Sequence, residues 1–393
     1  MMDYSRIINK KTRDMKPSGI RKFFDLAQTM ENVISLGVGE PSFQTPWQIR
    51  RAAITALERG KTFYTANSGL IDLRKSISEY VIEYAKTEYS PDDEIIVTVG
   101  GSEAIDLSIR AIVEPGDEVL IVEPCFVCYT PIVELVGGTP VVVETKAEDD
   151  FKLTAEALKE KITDKTKVLI LPFPNNPTGA IMTKEDLEPI AEVLRDTNII
   201  ILSDEIYSEL TYGRMHHSIV ECDGMRERTI LINGFSKAFA MTGWRLGFLC
   251  GPREIVGQIL KIHQYAIMSS PTVSQYAAIE ALKNCRSDID MMVEEYNIRR
   301  RFCVHGFNEI GLDCFEPEGA FYVFPCIKST GLSSQDFCER LLYSKNVAVV
   351  PGDAFGECGE GYIRVSYAYS LEHLKKAIKK IGEFVNEIKI EEN

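Results

Sequence analysis

The chain of 393 residues carries a formal charge of −14, and 45% of it is hydrophobic. That is ample apolar material for a large core, and the length points to two or three domains. The acidic balance excludes a face built for nucleic acid or an anionic membrane, since both require a basic surface.

The N-terminus, MMDYSRIINKKTRDMK, alternates charged and apolar residues without a continuous apolar stretch, so no signal peptide is expected. The longest apolar runs, such as VLILPF and NIIIL, are too short to span a bilayer. Ten cysteines without a leader point to reduced thiols in a cytoplasmic protein. No HExxH is present, and Cys125 and Cys128 lack a second pair or suitably spaced histidines. They read as two unpaired thiols in a loop, and no metal site is expected.

From about residue 95 to 250, short β-branched runs alternate with helical patterns. EIIVTVG (94–100) predicts a strand and SEAIDLSIRAIV a helix. EVLIVEP (118–124), TPVVVET, KVLILPFP (167–174), NIIILSDE (198–205) and RTILINGF (228–235) continue the strands. TKEDLEPIAEVLRD predicts a helix with Thr183 as its N-cap. Apolar strands between helices imply a mostly parallel sheet covered on both faces. After a helical stretch near 275–300 come shorter strands in AFYVFPCI, VAVVPG and GYIRVSYA, and a final helix, LEHLKKAIKKIGEFVNEI. This part reads as α+β.

Ligands of open α/β sheets sit at the carboxyl ends of the strands, so the residues just after each strand form one group. VGGSEAI (99–105) is a glycine-rich turn into a helix. Phosphate loop, hydrolase-like elbow around Ser102 and plain N-cap all fit it. FPNNPTGAIMT (173–183) is accounted for as a turn by composition alone; the other reading puts the Asn176 amide on a ligand. In ILSDEIYSELTY, Asp204 is either the cap of a helix over 205–211 or a buried acid in need of a cation, with Tyr207 on its face. GFSKAFAMTGWRLGF brings Ser236, Lys237 and Arg245 to a strand end. EGYIRVSYA places Arg364 opposite Ile363 and Val365, as a strand arginine in a salt bridge or as a clamp on a carboxylate. One ligand explains the whole set. Pyridoxal 5′-phosphate needs an amine for its aldehyde, an acid at its ring nitrogen, donors for its phosphate and a group on its phenolic oxygen.

With NPTG, DEIY, SK…GWRLG and IRVSYA in this order, the sequence resembles the class I/II aminotransferases of the fold-type I pyridoxal-phosphate superfamily. The prokaryotic aspartate and aromatic subgroup is the nearest likeness, over almost the whole chain from SGIRKFFDLA onward. The resemblance implies an aspartate-aminotransferase-like α/β fold with a seven-stranded-type, mostly parallel sheet flanked by helices. It implies a large cofactor-binding domain over 46–284, and a smaller α+β domain from 1–45 plus 285–393.

The resemblance also assigns roles. Lys237 matches the Schiff-base lysine, Asp204 the acid at the pyridine nitrogen, and Tyr207 with Asn176 the pair on the phenolic oxygen. Gly101, Ser102, Ser236 and Arg245 match phosphate ligands, and Glu103 of the same turn is grouped with the cofactor-binding residues. Phe126 matches the aromatic stacked on the ring. Arg364 matches the clamp on the α-carboxylate, Gly39 the backbone donor beside it, and Ile20 a residue closing over the substrate. Tyr64 matches a tyrosine that reaches a neighbouring subunit's phosphate, which implies a homodimer with shared sites. Gly234 stands where many relatives carry a serine, so one phosphate donor is absent.

The implied function is transfer of an amino group from an L-amino acid, aspartate or aromatic, to a 2-oxo acid such as 2-oxoglutarate, within amino acid metabolism. A C–S β-lyase shares the lysine, the aspartate and the arginine. A hydrolase using Ser102, Asp204 and His263 leaves Lys237, Arg245 and Arg364 without a task. An acid ~4 Å from a ring nitrogen gains roughly 4 kcal/mol at an effective dielectric of ~20. That equals about 3 pKa units, enough to keep a weakly basic pyridine protonated.

Overall fold

In the computed structural model, which describes residues 2, 4–15, 30 and 32–391, the β-branched runs form a seven-stranded sheet. Strand β1 (Ile34–Ser35) lies elsewhere. The large sheet is built from β2 (Ile95–Thr98), β3 (Glu118–Glu123), β4 (Thr139–Glu144), β5 (Thr166–Leu171), β6 (Ile200–Asp204), β7 (Thr229–Gly234) and β8 (Gly247–Cys250). Their order is β2-β8-β7-β6-β5-β3-β4. Only β8 runs against its neighbours, so the other six strands point their carboxyl ends to one edge.

Both faces are covered, as the unbroken apolar runs require. Successive residues of a strand point to opposite faces. Leu120, Val122, Leu169 and Leu171 enter one core cluster, and Val119, Ile121, Val168 and Ile170 the other. A third core surrounds Phe321, Tyr322 and Val365. It packs on an antiparallel sheet of β11 (Val350–Pro351), β12 (Ile363–Ser366) and β9 (Tyr322–Val323), with β1 paired in parallel to β10 (Val347–Ala348) nearby.

Three local readings need correction. No strand was expected at Gly247–Cys250, yet β8 pairs there with β7 and β2. No helix forms over 205–211, where the backbone makes turns with Ser208 N–H donating to Glu205 C=O and Leu210 N–H to Tyr207 C=O. Side chains hold this segment instead. Glu205 is fully buried, accepts hydrogen bonds from the Ser203 and Ser218 hydroxyls and pairs with His216 at 2.8 Å. Finally, AFYVFPCI supplies only two strand residues, and VAVVPG divides between two sheets.

The helix Lys184–Arg195 begins with a capping box in which Thr183 and Asp186 bond each other's backbone N–H. Thr183→Ala is expected to cost about 1 kcal/mol of stability, measured by urea unfolding, with the cofactor spectrum of the folded enzyme unchanged.

Candidate active site

Because six strands end at one edge, the motifs that follow them meet. Gly101 and Ser102 open the helix Gly101–Ile112 after β2, Phe126 follows β3, Asn176 follows β5, Asp204 ends β6, and Ser236 and Lys237 follow β7. Arg364 on β12 and the segment containing Gly39 arrive from the other side. All of these, with Tyr207 and Arg245, line one cavity of about 820 Å³.

Lys237 donates its amine hydrogen to the Gly39 carbonyl at 2.7 Å. Loss of hydration, then the Arg364 charge, lowers its pKa to about 8. Asp204 is 9% exposed; its Oδ2 accepts from the Tyr129 hydroxyl at 2.8 Å, and its Oδ1 from Ile206 N–H at 3.3 Å. Burial holds its carboxyl above the usual range, and the Tyr129 hydrogen bond pulls the other way. The Tyr207 hydroxyl lies 2.8 Å from that of Tyr322.

Arg364 is 3% exposed, and burial lowers its pKa. It donates to Asn176 Oδ1 at 2.9 Å and to the Gly37 carbonyl, with its guanidinium 4.5 Å from the Tyr322 ring centroid and 4.8 Å from that of Phe355. Its Nε has no hydrogen-bond partner. Asn176 therefore spends its amide oxygen on the arginine and keeps its NH₂ for the cavity. Asn175 shapes the turn, donating to Pro124 C=O at 3.1 Å and accepting from Thr178 N–H at 3.1 Å.

At the phosphate end, Ser102 and Arg245 are exposed and Ser236 is buried. The first N–H groups of a helix lack internal partners and favour an anion. Gly234 is tightly enclosed: a Cβ there would lie 3.0 Å from Gly247 Cα and 3.1 Å from the Leu246 carbonyl oxygen. A serine would have to push the β7–β8 pair apart, which gives a physical reason for the glycine.

Some expected residues lie elsewhere. Glu103 does not line the cavity; its carboxylate accepts from Val99 N–H at 2.5 Å and meets His263 at 3.1 Å. His263 is fully buried and does not line the cavity that holds Ser102, so the hydrolytic triad does not assemble there. Tyr64 is 81% exposed and does not line the cavity. Ile20 falls outside the described residues. Conversely, Tyr129 and Tyr322 were not singled out in the sequence. The available signal was a buried tyrosine in an apolar run, since its hydroxyl needs a partner. Cys125 and Cys128 are unpaired thiols, in a loop as expected.

The donor set fits pyridoxal phosphate: an amine of lowered basicity, a buried acid, a phenol, an amide NH₂, and hydroxyls with an arginine at a helix N-terminus. The comparisons agree. The family profile of class I and II aminotransferases matches residues 31–381. A Bacillus subtilis protein named as an aminotransferase, YugH, is 54% identical over 374 residues, 95% of this chain and 97% of its own. The aspartate aminotransferase of Pyrococcus abyssi is 46% identical over 379 residues, 96% of this chain and 97% of its own. The crystal structure of an aromatic aminotransferase from Pyrococcus horikoshii superposes with a TM-score of 0.90 at 45% identity, over 93% of this chain and 99% of that one. The chain therefore belongs to the class I and II aminotransferase family, and it is an aminotransferase that works with pyridoxal 5′-phosphate.

Proposed function

We propose that the cavity transfers the amino group of aspartate or an aromatic amino acid to a 2-oxo acid such as 2-oxoglutarate, with the roles that follow. The carrying observation is the joint lining of one cavity by the Lys237 amine, the buried Asp204 carboxylate and the Arg364 guanidinium. Bound there, pyridoxal phosphate supplies an aldehyde that links to amines and a ring that takes up electrons from the substrate Cα.

Arg364 would grip the substrate α-carboxylate from the cavity wall, beside the backbone N–H of Gly39. Lys237 holds the cofactor aldehyde in the resting enzyme. Freed by the substrate amine, it would take up the proton from the substrate Cα and return it. An amine with a pKa near 8 is neutral often enough to accept that proton and basic enough to return it. Asp204 keeps a proton on the ring nitrogen, oriented by Tyr129. Tyr207 and the Asn176 NH₂ would donate to the phenolic oxygen, Phe126 would cover the ring, and Gly101, Ser102, Ser236 and Arg245 would hold the phosphate.

Aspartate and aromatic donors are supported by the names of the Pyrococcus relatives. A homodimer is supported by the exposed Phe63, Tyr64 and Tyr265, at 80%, 81% and 88%. The loop of Phe63 and Tyr64 is tied to the segment that follows the helix of Tyr265, through Thr272 Oγ1 to Phe63 C=O at 2.7 Å and Asn67 to Met268 C=O at 2.7 Å. The two larger sheets, one over 95–250 and one over 322–366, support a large domain over 46–284 and a small one from 1–45 plus 285–393. Cytoplasmic residence belongs to the same reading; among the described residues, no helix is long and apolar enough to cross a membrane.

A half-reaction screen tests the reading: aspartate or an aromatic amino acid is expected to discharge the visible band of the enzyme fastest, and equal inertness of both would refute the substrate assignment. Borohydride is expected to fix the cofactor to Lys237, and Lys237→Ala to lose about 10²–10⁴-fold in turnover. Capture of added cofactor by the apoenzyme is expected to accelerate with pH and level off above about 8, because only the neutral amine attacks; a midpoint near 10 would contradict the lowered basicity. Tyr64→Ala is expected to weaken cofactor retention while the protein still sediments as a dimer.

A further inference from the structure

Strand β9 places Tyr322 where three parts of the site meet. Its hydroxyl is 2.8 Å from the Tyr207 hydroxyl, and its ring lies against the Arg364 guanidinium. A Cβ on Gly39, whose carbonyl anchors the Lys237 amine, would sit 2.2 Å from the Tyr322 oxygen. Only hydrogen fits there, so the Gly39 backbone and the tyrosine hydroxyl are in direct contact. Tyr322 is 1% exposed and lines the cavity.

Each tyrosine hydroxyl has one hydrogen to give and lone pairs to accept with. If Tyr207 donates to Tyr322, it has nothing left for the cofactor's phenolic oxygen. If Tyr322 donates to Tyr207, the Tyr207 hydrogen is free to point into the cavity. An ionised phenolic oxygen accepts and cannot donate, so it selects the second arrangement. We propose that Tyr322 is a positioning residue that donates its hydrogen to Tyr207 and so commits the Tyr207 hydroxyl to donate to the cofactor's phenolic oxygen.

The charges around the pair agree with this polarity. The Arg364 cation against the Tyr322 ring makes that O–H the better donor. Lys237 Nζ stands 5.8 Å from the Tyr207 ring centroid, and Asp204 and Glu40 are the acids lining the same cavity. Donors in series polarise one another. The chain from Tyr322 through Tyr207 draws negative charge from the phenolic oxygen. That weakens its hold on the proton of the Lys237 nitrogen once this nitrogen is linked to the aldehyde. The linked nitrogen then loses its proton at a lower pH than it would with Tyr207 acting alone.

The inference rests on the reading of Lys237 and Tyr207 as cofactor ligands, and one titration separates the two. The visible absorbance of the purified holoenzyme is followed against pH for wild type, Tyr322→Phe, Tyr207→Phe and the double variant. Tyr322→Phe keeps the ring and is expected to raise the midpoint by about half a unit to one unit. Tyr207→Phe is expected to raise it further, with the double variant equal to Tyr207→Phe alone. An unmoved or lowered midpoint in Tyr322→Phe overturns the proposal, a lowered one showing that Tyr207 had been donating to Tyr322. Additive shifts in the double variant overturn it as well. Absence of any visible band in wild type would instead overturn the assignment of Lys237. Should Tyr322→Phe fail to fold, 3-fluorotyrosine incorporated at position 322 is a stronger donor of the same shape. It is expected to lower the midpoint, and an unmoved or raised one would overturn the proposal.

Discussion

A carboxylate withdrawn from water at the end of β6 sets conditions for everything around it. Burying an ionised group is costly unless it is paired and hydrogen-bonded. Asp204 receives the Tyr129 hydroxyl and the Ile206 N–H, and its remaining capacity faces a cavity lined by a lysine and two arginines. The next residue, Glu205, is buried on the opposite side and satisfied by Ser203, Ser218 and His216. Two successive acids are thus held in opposite directions by side-chain donors. This pins the backbone between them and carries the Tyr207 ring to its place.

The seven-stranded sheet supplies one wall of the cavity and the segments around the three-stranded sheet the other. Contacts between them are polar and specific: Arg364 to Asn176, Tyr207 to Tyr322, and Lys237 to the Gly39 carbonyl. Each joins a residue after a strand of the large sheet to one from the segments around β1, β9 or β12. A shift of either part by an ångström would break all three at once, so the catalytic geometry reports directly on how the two parts are seated.

Much of this was legible in the sequence, for identifiable reasons. Apolar β-branched runs bounded by turn residues can hardly form anything but buried strands, and residues after parallel strands must meet at one edge. That logic collected Lys237, Asp204, Asn176 and Ser102 before any geometry was known. Thr183 was readable because a capping threonine before an acidic first turn is a local signal. What escaped notice depended on distant partners. β8 is four residues long and too short to show a period. In 205–211 the spacing of Tyr207 and Leu210 imitates a helix, while buried hydrogen bonds impose turns. Tyr129 and Tyr322 look like core residues until the groups facing their hydroxyls are known. Glu103 looked available to a ligand because nothing local reveals that Val99 and His263 occupy it.

Arg364 is held in an unusual condition. A fully charged side chain lies between two aromatic rings, and among the described residues it has amide and carbonyl oxygens for company but no carboxylate. The fold has already stripped its water, so in the proposed role as carboxylate clamp the arginine would present an incoming substrate with a dehydrated cation. Part of the binding energy is therefore drawn from the folding reaction, in which the protein accepts a lower stability than an apolar residue at this position would allow. By mass action, a carboxylate ligand at cellular concentration restores some of that loss. The enzyme at work is thus a sturdier molecule than the enzyme at rest.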